Sequence, residues 1–128
     1  MYKMKFGNQV KLIITDFDGT LVDTFTANYK AYKNAFNTCG LNLDIESYKR
    51  CFGYRYEKFI ALIGIKDADV SKKIRQLKIS LYPKYFEYFK LNKPLLDFLL
   101  SFRSSGGKIA IASSARRNNL QIALDYLG

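Results

Sequence analysis

The sequence predicts an α/β protein in which a short parallel sheet carries an inserted helical unit. Two apolar runs, VKLIIT at 10–15 and KIAIA at 108–112, have the length of short strands covered on both faces, and the first is rich in β-branched residues. The stretch between them is dominated by apolar residues at three- and four-residue spacing, and a further helical pattern follows the second run. The order is therefore strand, helical insertion, helix, strand, helix, which calls for parallel strands.

Taken in order, the first run leads straight into Asp16-Phe17-Asp18-Gly19-Thr20, where acids and a glycine end it. After Asp23 the period changes. Phe25, Tyr29, Tyr32 and Phe36 predict a helix that stops by Gly40. Asp44 suits the N-cap of a short helix reaching Cys51, with Gly53 beyond it. Tyr56, Phe59, Ile60 and Ile63 form another stripe before Gly64. Ile74, Leu77, Leu81, Tyr85 and Phe89 predict a long helix over 70–89 that Pro83 kinks or breaks. The aromatic stripes are expected to form this unit's own core. Pro94 fits the first turn of a helix over 95–102. The second strand, Ser113-Ser114 and a helix carrying Leu120, Ile122, Ala123 and Leu127 complete the chain. The expected division is 1–23 with 92–128 for the sheet unit and 24–91 for the helical unit.

Composition narrows the chemistry. Of 128 residues, 48% are hydrophobic and 25% charged, which is globular rather than disordered. No apolar run reaches the roughly 18 residues a membrane span needs. The opening MYKMKFGNQ lacks the apolar stretch of a secretory signal, so a cytoplasmic location is expected. A net charge of +10 invites a nucleic-acid reading, but the cations are scattered among helices, which makes that reading the weaker one. The histidine count is zero, which removes catalytic triads, Cys-His pairs and imidazole bases. Cys39 and Cys51 suit neither a disulfide framework nor a metal cluster. Carboxylates, hydroxyls, cations and a recruited metal must carry any reaction.

Asp16 and Asp18 are the strongest signal. They stand just past the carboxyl end of a buried strand, where open α/β sheets bind ligands. In an extended segment residues i and i+2 point to one side, so both carboxylates can converge on a substrate or on a hard cation. Gly19 allows a sharp turn. A plain Asp-Gly turn would leave unexplained the acid set directly on the strand end.

The stretch 16–24, DFDGTLVDT, resembles the first motif of the haloacid dehalogenase-like hydrolase superfamily. The resemblance implies a Rossmann-like core, here an incomplete parallel sheet, with an inserted α-helical cap at 24–91. It implies Asp16 as nucleophile and Asp18 as general acid and base. Mg²⁺ would then be held by the Asp16 carboxylate and the Asp18 carbonyl. An acid at Asp18 favours phosphoryl transfer over halide displacement, which needs no protonated leaving oxygen. Ser113 resembles the second-motif hydroxyl that binds a phosphoryl oxygen, and Thr20, Ser114 and Arg116 complete the expected contacts around the phosphate. The cap resembles that of phosphoglycolate phosphatase-like and β-phosphoglucomutase-like enzymes, which places Arg55, within Gly53-Tyr54-Arg55-Tyr56, as the candidate for substrate choice.

The expected function is Mg²⁺-dependent hydrolysis of a small phosphorylated metabolite through an aspartyl-phosphate. The resemblance also implies a downstream cation and further metal-site acids, which the 128 residues do not contain. Impaired catalysis is therefore expected, and the alternative is a catalytically silent protein that binds a complementing chain or a second copy through its open sheet edge.

Overall fold

The structure, a computed structural model, describes residues 11–113 and 117–127. In chain order its elements are β1 (Leu12–Asp16), β2 (Val22–Asp23), α1 (Phe25–Thr38), α2 (Ile45–Cys51), α3 (Tyr56–Ile63), α4 (Ala68–Leu81), a 3-10 helix (Tyr82–Tyr88), β3 (Lys90–Leu91), α5 (Lys93–Ser104), β4 (Lys108–Ala112) and α6 (Arg117–Leu127). They form two compact units, Met1–Asp23 with Lys90–Ser113 and Thr24–Phe89 with Ser114–Gly128.

In the first unit β1 and β4 pair in parallel, in a register running from Leu12 opposite Lys108 to Asp16 opposite Ala112. The mixed α/β class and the parallel pairing agree with the sequence reading. The two-residue strands β2 and β3 were not expected; they pair antiparallel, Val22 with Leu91 and Asp23 with Lys90. Such short strands leave no alternation for a sequence to display.

Burial of β1 departs from expectation. Strand alternation puts Ile13 and Thr15 on one face and Leu12, Ile14 and Asp16 on the other. Thr15 is buried, whereas Leu12 is 51% and Ile14 64% exposed. Among the described residues α5 is the one helix of this unit.

Helix α5 opens on Asn92, whose side chain accepts the Leu95 N–H at 3.2 Å, with proline in the first turn. It buries Leu99 and Phe102. After it Gly107 runs so close to the Phe102 ring that a Cβ there would lie 2.3 Å from Cε1. Gly107→Ala is expected to destabilise the chain by about 1–3 kcal/mol through this overlap, read as a lower urea midpoint with an unchanged slope.

The second unit is built on aromatic packing, as its stripes indicated. Phe36, Leu43, Tyr48, Phe59, Ile60 and Ile74 are buried together. Tyr48 meets Phe59 edge-on at 5.5 Å between ring centres, and Tyr32 lies 4.9 Å from the same ring. Asp44 caps α2 by accepting the Glu46 N–H at 2.9 Å. The Ser47 hydroxyl also donates to it, and these bonds hold its carboxyl below the usual range. The helix expected over 70–89 divides at Pro83, for which the missing N–H and fixed φ are the physical reason: α4 ends at Leu81 and a 3-10 turn follows. Lys78 is buried with its ammonium 3.8 Å from the centre of the Tyr82 ring and 5.0 Å from that of Tyr32, where the ring faces offset part of its lost hydration. In this unit Tyr126 of α6 lies 5.3 Å from the Phe86 ring, and Ala123 is buried.

Candidate active site

The site grows out of the β1–β4 ladder. Beyond the Asp16–Ala112 pair the ladder continues by one bond, Phe17 N–H to the Ala112 carbonyl at 3.2 Å. The Phe17 side chain is then buried, which anchors the chain where it leaves the sheet. Its carbonyl gathers three amides, those of Thr20, Leu21 and Val22, at 3.4, 3.1 and 3.0 Å. Gly19 closes the turn by donating to the Val22 carbonyl at 2.8 Å, with a φ of +79° that strains any residue bearing a Cβ. Residues 17–22 are thus a closed turn hung from the end of β1.

Asp16 is exposed at the mouth of this turn, with Oδ1 accepting the Phe17 N–H at 3.0 Å. Asp18 is half-buried. Ser113 follows the register partner of Asp16, so parallel pairing brings it to the same sheet end. Its hydroxyl donates to Asp18 Oδ2 at 3.4 Å. That length marks proximity more than a strong bond. Positions 16, 18 and 113 therefore share the carboxyl end of the two paired strands, with a side-chain contact between Ser113 and Asp18.

Thr20 lies exposed in the same turn. Arg55 is the exposed N-cap residue of α3, in the other unit, with no side-chain cap bond. Ser114 and Arg116 lie outside the described residues. Sequence reasoning missed Asn92. Its side-chain N–H donates to the Thr20 carbonyl at 3.1 Å, and its backbone N–H to the Leu21 carbonyl at 2.8 Å. The signal was available in Asn-Lys-Pro, an N-cap residue ahead of a first-turn proline.

The donor set suits a hard cation. Asp16 and Asp18 offer carboxylate and carbonyl oxygens two residues apart, and Mg²⁺ is commonly held by one or two carboxylates with water completing its shell. Among the described residues no group of three or more acids, cysteines or histidines is placed to enclose a metal. The chemistry of the donors fits Mg²⁺, and their number leaves positions open for water and substrate.

A parallel sheet with an acidic turn at its carboxyl end, and a helical unit inserted in the sequence after that turn, defines an α/β protein whose candidate site lies at the strand ends. Residues 13–128 match the family model for haloacid dehalogenase-like hydrolases, and the chain belongs to that family. Its fold is similar to that of a hydrolase from Pseudomonas syringae, with a TM-score of 0.79 at 19% identity over 93% of this chain and 56% of that one. A haloacid dehalogenase-like family hydrolase from Streptococcus pneumoniae aligns with a TM-score of 0.75 at 24% identity, over 92% of this chain and 56% of that one. A predicted phosphoglycolate phosphatase from Haemophilus somnus gives 0.78 at 16% identity, over 93% and 58%. The chain thus spans less than two thirds of these structures, and at such identities the likeness carries the fold alone. No curated protein matches the chain. Among the described residues no helix is long and apolar enough to cross a membrane.

Proposed function

We propose that the chain is a Mg²⁺-dependent phosphatase-type hydrolase acting on a small phosphomonoester through an aspartyl-phosphate. The observation that supports this reading is the Ser113 hydroxyl 3.4 Å from Asp18, at the strand end that also carries Asp16. The family supports hydrolysis, and the absence of histidine fits a reaction run by carboxylates.

An Asp16 carboxylate oxygen attacks phosphorus, the bond from phosphorus to the ester oxygen breaks, and the leaving oxygen takes a proton from Asp18. Asp18, now a carboxylate, accepts a proton from water as that water's oxygen attacks phosphorus. The bond from phosphorus to Asp16 then breaks, releasing inorganic phosphate. Ser113 donates its hydroxyl hydrogen to a phosphoryl oxygen, and Thr20, Ser114 and Arg116 contribute to holding the phosphate. The Asp16 carboxylate and the Asp18 carbonyl would hold Mg²⁺. When bound, Mg²⁺ supplies positive charge against the oxygens on which the transition state concentrates negative charge. The helical unit 24–91 acts as a cap, with Arg55 selecting the substrate's leaving portion. Free Cys39 and Cys51 favour the reducing cytoplasm as its location.

The test is hydrolysis of p-nitrophenyl phosphate by the full chain across a Mg²⁺ titration. Turnover that rises and saturates with Mg²⁺ is the expected result, and no turnover at any Mg²⁺ concentration overturns the reading for this chain.

The exposed face of β1 favours a second reading, in which Leu12 and Ile14 are covered by a second copy of the chain. Sedimentation velocity is expected to give a dimer that Ile14→Lys converts to monomer. A wild-type chain sedimenting as a monomer at all concentrations contradicts it.

A further inference from the structure

We infer that Asn92 is a positioning residue for the catalytic turn, acting through the Thr20 and Leu21 carbonyls; the inference rests on the phosphatase reading for its bearing on reaction but not for its structural content. Three bonds meet at this one residue. Its Oδ1 accepts the Leu95 N–H at 3.2 Å and so starts α5. Its Nδ2 donates to the Thr20 carbonyl at 3.1 Å. Its backbone N–H donates to the Leu21 carbonyl at 2.8 Å. The next two residues back, Leu91 and Lys90, pair with Val22 and Asp23.

The arrangement divides the holding of the turn between two ends. From inside, the Phe17 carbonyl collects the amides of Thr20, Leu21 and Val22. Those bonds satisfy N–H groups and leave the carbonyls of Thr20 and Leu21 pointing away from the hub. Asn92 takes both from outside. The turn is thereby fixed to the start of α5, a helix anchored by its buried Leu99 and Phe102. Asp18 sits between Asp16 on the strand and Thr20 under this clamp. The place of its carboxylate relative to Asp16 therefore depends on where the far end of the turn is held.

The amide side chain is specific to this double task. One oxygen must accept from the helix while one N–H donates to the turn, and a carboxylate or hydroxyl at 92 keeps the cap but loses the second bond. Capping and clamping are therefore separable by substitution. Asn92→Asp retains an N-cap acceptor and adds negative charge at a helix start, where it is favourable. It also sets a carboxylate oxygen against the Thr20 carbonyl. Asn92→Ser retains the cap without the reach. Asn92→Ala loses both.

The experiment is amide hydrogen exchange on the full chain, with thermal unfolding alongside, for wild type and these three variants. Asn92→Asp is expected to keep the wild-type melting temperature while the amides of Gly19, Thr20, Leu21 and Val22 exchange roughly two- to tenfold faster, as loss of one net hydrogen bond allows. Asn92→Ser is expected to show the same local effect to a smaller degree, and Asn92→Ala a lower melting temperature as well. In p-nitrophenyl phosphate hydrolysis, Asn92→Asp should lower kcat with KM unchanged. Unchanged exchange of 19–22 in Asn92→Asp overturns the inference and leaves Asn92 as a helix cap only. If the wild-type chain gives no turnover, the phosphatase reading fails by itself, while the exchange comparison still decides for or against the clamp.

Discussion

Asp16→Asn is expected to abolish whatever Mg²⁺-dependent hydrolysis of p-nitrophenyl phosphate the wild-type chain shows, since loss of a covalent nucleophile costs up to about 10⁶ in kcat elsewhere. The fold should survive the change. Asp16 is exposed, and the bond it makes to the backbone, Oδ1 accepting the Phe17 N–H at 3.0 Å, is available to the amide oxygen of asparagine as well. What is lost is the charged oxygen that attacks phosphorus and one of the anionic donors to the cation. Steady-state kinetics at saturating Mg²⁺, with a melting curve as control, reads both. A variant that retains wild-type turnover removes Asp16 from the role of nucleophile.

The largest effect on stability is expected at the neighbouring position. Phe17→Ala should cost about 3–5 kcal/mol, because a nearly fully buried ring is removed and the surrounding residues close the cavity only in part. A loss of that size is a large share of the 5–15 kcal/mol that an ordinary domain possesses. It should be accompanied by loosening of the acidic turn, since the buried ring fixes the residue whose backbone carbonyl, kept in the variant, gathers Thr20, Leu21 and Val22. Urea unfolding followed by far-ultraviolet circular dichroism measures the first effect. A change below about 1 kcal/mol would mean that the ring is not the anchor of the turn.

What the sequence disclosed and what it hid have physical causes. Long periodic stretches were legible. The stripe Phe25, Tyr29, Tyr32, Phe36 became α1, and Asp44, Gly64 and Pro83 marked a helix start, a helix end and a helix break because each acts locally, Asp44 through its side chain and the other two through their own backbone. The acidic turn was legible for a related reason: Asp16, Asp18 and Gly19 stand within four consecutive positions directly after an apolar run, so the pattern is local. Three features were not legible. The pairs β2 and β3 are too short for a period and depend on contact between residues about seventy positions apart. The openness of the Leu12 and Ile14 face depends on which layers pack against the sheet, about which an apolar strand is silent. Asn92 announced its cap through Pro94, but its bond to Thr20 joins residues 72 positions apart and leaves no local mark.

The central claim is that Asp16 forms a covalent bond to phosphorus. Its most direct test is mass spectrometry of the chain, rapidly quenched in acid after mixing with p-nitrophenyl phosphate and Mg²⁺, followed by peptide mapping. A phosphoryl increment located on Asp16 in wild type, and absent from Asp16→Asn, is the predicted result. Turnover with no increment at Asp16, or with the phosphoryl group on Ser113 or another residue, would contradict the account.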